Sequence, residues 1–248
     1  MVAAGVPRRV LSFGGRVLLF VAGSIAIAVA VGVMFWNDIG PGPFDVFVGA
    51  VHERTGLPLA VALWVVVGVL VAIAWALGRR PGPGTLIGPL LVGPVLQFVV
   101  TVLESVDRPD ELFVALLVQA MAIVLIGLGA GSLIVSGLGA GTGELLAAAA
   151  SDRTGRPEAR VRGAFEIAWL LLGIVLGGPI GVGTVIVAVA IGPAVATGYR
   201  LVDTAVSRTR PTTINPAPAA LTLPCPSPST REPTSAAIST LDSRSAAT

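Results

Sequence analysis

Long apolar runs broken by short clusters of glycine, proline and charge set the rhythm of this chain. Six such runs stand at residues 14–36, 59–77, 85–103, 112–135, 163–178 and 184–200. Each is close to the roughly 20 residues that a helix needs to cross a bilayer. The first follows Arg8, Arg9 and Arg16, as a signal peptide would. Its apolar stretch exceeds the 7 to 15 residues of a signal core, and no small-residue cleavage site follows it, so it reads as a retained helix. One further stretch, from Phe44 to Arg54, extends about 16 Å as a helix, half a bilayer. Pro43 at a first helical position and Asp45 just inside start it, and Gly56 followed by Pro58 stops it. It is expected to be re-entrant or interfacial.

The pattern occurs twice. "GPGPFDVFVGAVHERTGLP" from Gly40 and "GAGTGELLAAAASDRTGRP" from Gly139 align at a shift of 99 residues. Over Gly40 to Phe98 that shift gives sixteen identities without a gap, where roughly five or six are expected by chance, so the chain reads as a duplication. The matches cluster at Gly40/Gly139, Gly42/Gly141, Arg54-Thr55-Gly56 with Arg153-Thr154-Gly155, and Gly93-Pro94 with Gly192-Pro193. Three crossings per copy force the copies into opposite orientations. The expected fold is therefore all-α: six transmembrane helices as two inverted three-helix repeats, each with a short half-helix. Residues 14–103 and 112–200 are the repeats. They are flanked by an N-terminal segment 1–13, joined by an acidic loop 104–111, and followed by a Pro/Ser/Thr-rich tail 201–248 expected to be disordered.

Composition agrees with a membrane protein: 54% of residues are hydrophobic and 12% charged. All sixteen basic residues are arginine, which removes lysine-based chemistry, including a P-loop and a Schiff base. They sit between apolar runs and not in one basic stripe, so nucleic acid is not an expected partner. Six crossings with an inner N-terminus put Arg54 and Arg108 outside and the other twelve arginines before residue 211 inside. Both termini are thus expected in the cytoplasm.

The order "GPGPFD", "RTGLP", "RPGPGT", "VGPVLQF" and "RTGRPEARVRGAFEIAWLLLGIVLGGPIGVGT" resembles the YczE/YyaS/YitT group of bacterial integral membrane proteins, nearest its YczE-like branch. The resemblance spans roughly residues 10 to 200 and lacks the soluble C-terminal domain of YitT-like members. It implies a location in the bacterial plasma membrane. The second acidic turn of that group commonly reads Gly-x-Gly-Pro-x-Asp. Here Thr142 replaces the proline and Glu144 the aspartate.

Candidate chemistry rests on few side chains. Asp45 and Glu144 are matched carboxylates at helix starts, where they either complement the helix dipole or line the two mouths of one pathway for a cation or proton. Glu166 lies about one turn inside the fifth run, where it either pairs with Arg162 or carries a proton or cation. Gln97 is a helix–helix hydrogen-bonding residue or a substrate contact. Gly88-Pro89, Gly93-Pro94 and Gly192-Pro193 are expected to break their helices, marking a cavity or close packing, while Gly40, Gly42, Pro43, Gly139 and Gly141 shape the acidic turns.

Enzyme motifs fail on inspection. "HERTG" at His52 lacks the second histidine of a zincin, and the single Cys225 supports neither a disulfide framework nor a cysteine zinc site, so no metal or cofactor is expected. The glycines of residues 127–143 lie in or beside a membrane run, not after a soluble strand, and read as a packing face. "GTGE" lacks the second intramembrane aspartate that an aspartyl protease needs. No enzyme activity is expected. The expected function is that of a small transporter or exporter-like permease for a small molecule or ion; the alternative is a membrane scaffold that recruits a partner enzyme. Association into a homo-oligomer stays open.

Overall fold

The computed structural model describes residues 11–139 and 141–208, and within them every regular element is a helix. In chain order these are α1 (Phe13–Asn37), α2 (Pro43–Thr55), α3 (Leu59–Ala76), α4 (Pro83–Leu103), α5 (Leu112–Ser136), α6 (Thr142–Thr154), α7 (Glu158–Val175) and α8 (Val182–Arg208). Five of them, α1, α3, α4, α5 and α8, are long and apolar enough to cross a membrane. Helix α7 is as long as α3 but is not among them. Glu158, Arg160, Arg162 and Glu166 occupy its first half and break the apolar run.

The short helices form where the turn chemistry expects them. α2 opens with Pro43 at a first-turn position after Gly42 and closes on Gly56 at φ 67°, whose N–H donates to the His52 carbonyl. α6 repeats this, with Gly155 at φ 65° donating to the Ser151 carbonyl. Left-handed glycine caps satisfy the last orphan carbonyls without a Cβ penalty. Pro58 and Pro157 then turn the chain into α3 and α7.

Around α3 the interior is densest: Leu63, Val66 and Leu70 pack with Val48 of α2, Leu96 of α4 and Leu145 and Leu146 of α6. A second cluster joins Met34 of α1, Ile123 of α5 and Val187 of α8. Outward faces of the long helices stay apolar, with Phe98, Phe113, Met121 and Val189 exposed, as a lipid-facing surface requires. In lipid such helices are held by close packing and not by hydrophobic burial, so small residues at crossings matter. They are found there. A Cβ on Gly131 of α5 would lie 2.5 Å from the Gly198 backbone of α8, and one on Gly23 of α1 would lie 2.7 Å from the Gly129 carbonyl of α5. The glycine-rich run from 127 thus works as a packing face.

Contacts between the two copies are reciprocal. Arg54 Nε donates to the Leu176 carbonyl at 2.8 Å, and Arg153 Nε, 99 residues on, donates to the Leu77 carbonyl at 2.9 Å. The Gly84 N–H meets the Leu138 carbonyl, and the Gly183 N–H meets the Ile39 carbonyl. His52 Nδ1 closes on the Leu57 carbonyl as Ser151 Oγ does on that of Arg156. Helix pairs follow suit: α1 packs on α4 as α5 does on α8, and α2 on α7 as α3 does on α6.

Three expectations are corrected. The proline dipeptides do not break their helices, because α4 continues through Pro89 and Pro94 and α8 through Pro193. Trp64 Nε1 of α3 donates to the Pro89 carbonyl at 2.9 Å and so ties α3 to the continuous α4. Helix α8 continues to Arg208, past the expected boundary at residue 200, since no glycine or proline interrupts residues 201–208. The fifth run, expected at 163–178, ends as helix at Val175, where Gly177 at φ 82° turns the chain. Residues 1–10 and 209–248, which hold most of the N-terminal segment and the rest of the expected tail, lie outside the described residues.

Candidate functional site

A cavity of about 340 Å³ opens inside the helix assembly, and all eight helices contribute to its wall. Its lining is mostly apolar. Four charged side chains interrupt it: Asp45 of α2, Glu144 of α6, and Arg162 and Glu166 of α7.

Local sequence explains how the first two arrive there. Both sit in the first turn of a short helix, and both are preceded three residues earlier by a glycine, Gly42 and Gly141. A Cβ on Gly42 would stand 3.2 Å from Asp45 Oδ2, and one on Gly141 would collide with Glu144 Oε2. Glycine therefore lets each carboxylate fold back over its helix start. Gly40, at φ 107° beside Thr184 and Gly181, and Gly139, against Gly84 and Thr85, bring those starts to the beginnings of α8 and α4.

Arg162 links two of the carboxylates. Its Nη1 lies 2.5 Å from Glu144 Oε1, and its Nε lies 3.9 Å from Glu166 Oε1. The expected i,i+4 pair with Glu166 is thus the longer of two contacts, and Glu144 is the nearer partner. Asp45 and Glu166, on the packed helices α2 and α7, line the same cavity. Asp45 has no hydrogen-bond or ion-pair partner among the described residues. With all four groups ionised, three negative charges and one positive leave a net −2 in the cavity. A chamber of this kind stabilises a positive charge or holds protons; it opposes an anion.

The other sequence candidates divide. Gln97 lies outside this wall and works between helices, its Oε1 accepting from the Ala60 N–H at 3.3 Å. Gly93 is a packing notch, because a Cβ there would meet Trp64 Nε1 at 2.6 Å, whereas its repeat partner Gly192 faces open space. Pro94 and Pro193 lie within helices and line no part of the cavity.

Sequence reasoning passed over a buried amide network. Asn37 Nδ2 at the end of α1 donates to the Ala115 carbonyl at 2.9 Å and to Gln119 Oε1 at 3.3 Å, and Gln119 Nε2 donates to the Gly40 carbonyl at 3.0 Å. Gln119 is fully buried. The signal was present, since a lone amide inside the apolar run 112–135 needs a partner. Arg16 was likewise read only as a topology charge. It caps α5 instead, donating to the Ser136 carbonyl at 2.7 Å and the Gly137 carbonyl at 2.8 Å. Trp169 and Phe44, which line the cavity beside the carboxylates, were not singled out either.

Apolar outer faces, five membrane-length helices and an internal charged cavity define a polytopic α-helical membrane protein. The chain belongs to the family described as "Family of unknown function (DUF6198)", which it matches over residues 16–199. It is 29% identical over 181 residues to "Uncharacterized membrane protein YczE" of Bacillus subtilis (strain 168), covering 71% of this chain and 82% of that one. It is 27% identical over 179 residues to "Uncharacterized protein" of Haemophilus influenzae (strain ATCC 51907 / DSM 11121 / KW20 / Rd), covering 72% and 80%. No solved structure matches the chain.

Proposed function

We propose that this protein is a small permease of the secondary-transporter kind, which moves a small solute or ion through the charged cavity. In this reading α1, α3, α4, α5, α7 and α8 are the six crossings, the two copies insert in opposite senses, and both chain ends lie in the cytoplasm of a bacterial plasma membrane. Helices α2 and α6 are half-helices that bring one acidic turn to each side.

One observation carries the reading. Glu144, Glu166 and Asp45 line a single cavity, and they come from three helices of both copies. Ionisable groups inside a membrane domain are costly, and they mark substrate or proton pathways when they face an internal cavity. Reciprocal contacts between the copies supply the second ingredient of alternating access: two similar packings that exchange around a fixed site. Two of the four charges of α7, Arg162 and Glu166, fit as well, because they line the cavity.

Purified protein reconstituted into liposomes tests this by solute and proton flux. Movement of a solute or of protons that is lost in Glu166→Gln is the expected result. Proteoliposomes that move nothing, with protein that copurifies with one defined enzyme, would favour the scaffold role instead.

A further inference from the structure

Resting on that reading, we infer that the cavity binds a singly charged organic cation, an amine or quaternary ammonium with an apolar or aromatic body. The charges in the cavity are unevenly compensated. Arg162 is committed at 2.5 Å to Glu144, which leaves Glu166 with a contact of only 3.9 Å and Asp45 with no partner among the described residues. Asp45 and Glu166 both line the cavity. The cavity therefore presents two carboxylates without a closely paired cation.

The surfaces beside those carboxylates are aromatic. Phe44 is the neighbour of Asp45 on α2, and Trp169 stands one turn beyond Glu166 on α7, so each carboxylate is flanked on its own helix by a cavity-lining ring. The two rings meet edge to face with centroids 6.2 Å apart, and Trp169 also stacks with Phe47 at 5.6 Å and Phe165 at 6.0 Å. Aromatic faces and carboxylates together are the surroundings that recognise alkylammonium groups. The rest of the wall, Leu63 and Val67 among it, is aliphatic and suits an apolar body.

Competing ligand classes fit less well. A divalent metal ion calls for about six oxygen ligands, and the carboxylates here are spread along an apolar wall. An anion meets net negative charge. A neutral solute leaves the net negative charge of the cavity uncompensated. The volume of about 340 Å³ lies at the low end of the range of roughly 300 to 1,000 Å³ for small-molecule sites, which suits a compact guest such as benzyltrimethylammonium.

Calorimetric titration of the purified, detergent-solubilised full chain decides the matter. The probes are benzyltrimethylammonium, benzenesulfonate and benzyl alcohol, which share a ring and differ in charge. Only the cation is expected to bind, with affinity reduced at least tenfold in Glu166→Gln, in Asp45→Asn and in Trp169→Leu. Equal or tighter binding of benzenesulfonate or benzyl alcohol overturns the proposal, as does the absence of cation binding to folded wild-type protein. So does cation affinity that is unchanged in the two carboxylate variants. The wild-type comparison needs no variant to fold. Cation binding without flux in liposomes would sink the permease and leave the site, whereas flux of other solutes by protein that ignores the cation would do the reverse.

Discussion

At the scale of the residue, the decisive feature is a set of charges whose partners lie on other helices. Glu166 keeps only a 3.9 Å contact to Arg162, so an amide of the same shape should fit its place. Glu166→Gln is expected to leave the thermal unfolding temperature within a few degrees of wild type while abolishing flux or its pH dependence. Wild-type flux with a wild-type pH profile in the folded variant would remove Glu166 from the pathway. Gln119 is different in kind. It bridges Asn37 to the Gly40 carbonyl in a fully buried position, and a leucine there strands that carbonyl and leaves Asn37 Nδ2 only its bond to Ala115. Gln119→Leu should cost about 1 to 3 kcal/mol, read as earlier thermal unfolding, because orphaned buried polar groups bear their whole desolvation cost. An unchanged unfolding temperature would mean that water replaces the amide. By contrast Arg79, whose pKa the hydrogen bond from its guanidinium to Asp152 raises further, joins two exposed side chains at 2.7 Å, so it should matter little for stability.

Helices cross here where side chains are smallest. Leucine at Gly131 of α5 would drive a Cβ to within 2.5 Å of the Gly198 backbone of α8, where no side chain can rotate away. Gly131→Leu is expected to lower the yield of folded, monodisperse protein in detergent, seen by size-exclusion chromatography. Gly192, inside the same α8, has nothing within 4 Å of a built Cβ. Gly192→Ala should be neutral or stabilise by at most about 1 kcal/mol, since alanine is the better helix former. Comparable yields for the two variants would refute the assignment of the glycine run as the α5–α8 crossing. The same pair shows why spacing alone misleads. Gly93 and Gly192 are matched by the repeat, yet only Gly93 is a notch, because Trp64 faces it and Gly163 stands where a second tryptophan would be needed.

For the whole molecule, the prediction concerns which side each loop occupies. On a Cys225→Ser background, single cysteines at Arg79 and at Asp152 should react only from the cytoplasmic side, and a cysteine at Asp107 only from outside. A cysteine at Asp107 that labels from the cytoplasm would mean that the copies are not inserted in opposite senses. The loops themselves pair in agreement with that sidedness: Arg79 bonds Asp152, and Arg108 bonds Asp38 at 2.5 Å. Each pair joins loops that the charge pattern puts on the same side.

What the sequence determined by itself is local and periodic. Helix positions followed from apolar runs and from glycine and proline punctuation, because backbone hydrogen bonds inside a membrane leave a helix little alternative. The duplication was legible for the same reason, since its identities fall at turns where only glycine, proline or a capping residue fits. Even the acidic turns could be placed, Asp45 and Glu144 each in the first turn of a short helix. Tertiary structure decided what those residues meet. Glu144 and Arg162 are 18 residues apart and on different helices, and no local rule prefers that contact to the i,i+4 pair of Arg162 with Glu166. Asp45 and Glu166 come from different copies of the repeat and share one cavity only because α2 packs on α7. Arg16 and Gln119 each bond a carbonyl exposed at a helix end or turn far away in the chain, which exists as an acceptor only once the helices have packed. Side-chain type fixes what a group can bond to, but the position of its partner is set by how the helices cross, and that depends on all of them together.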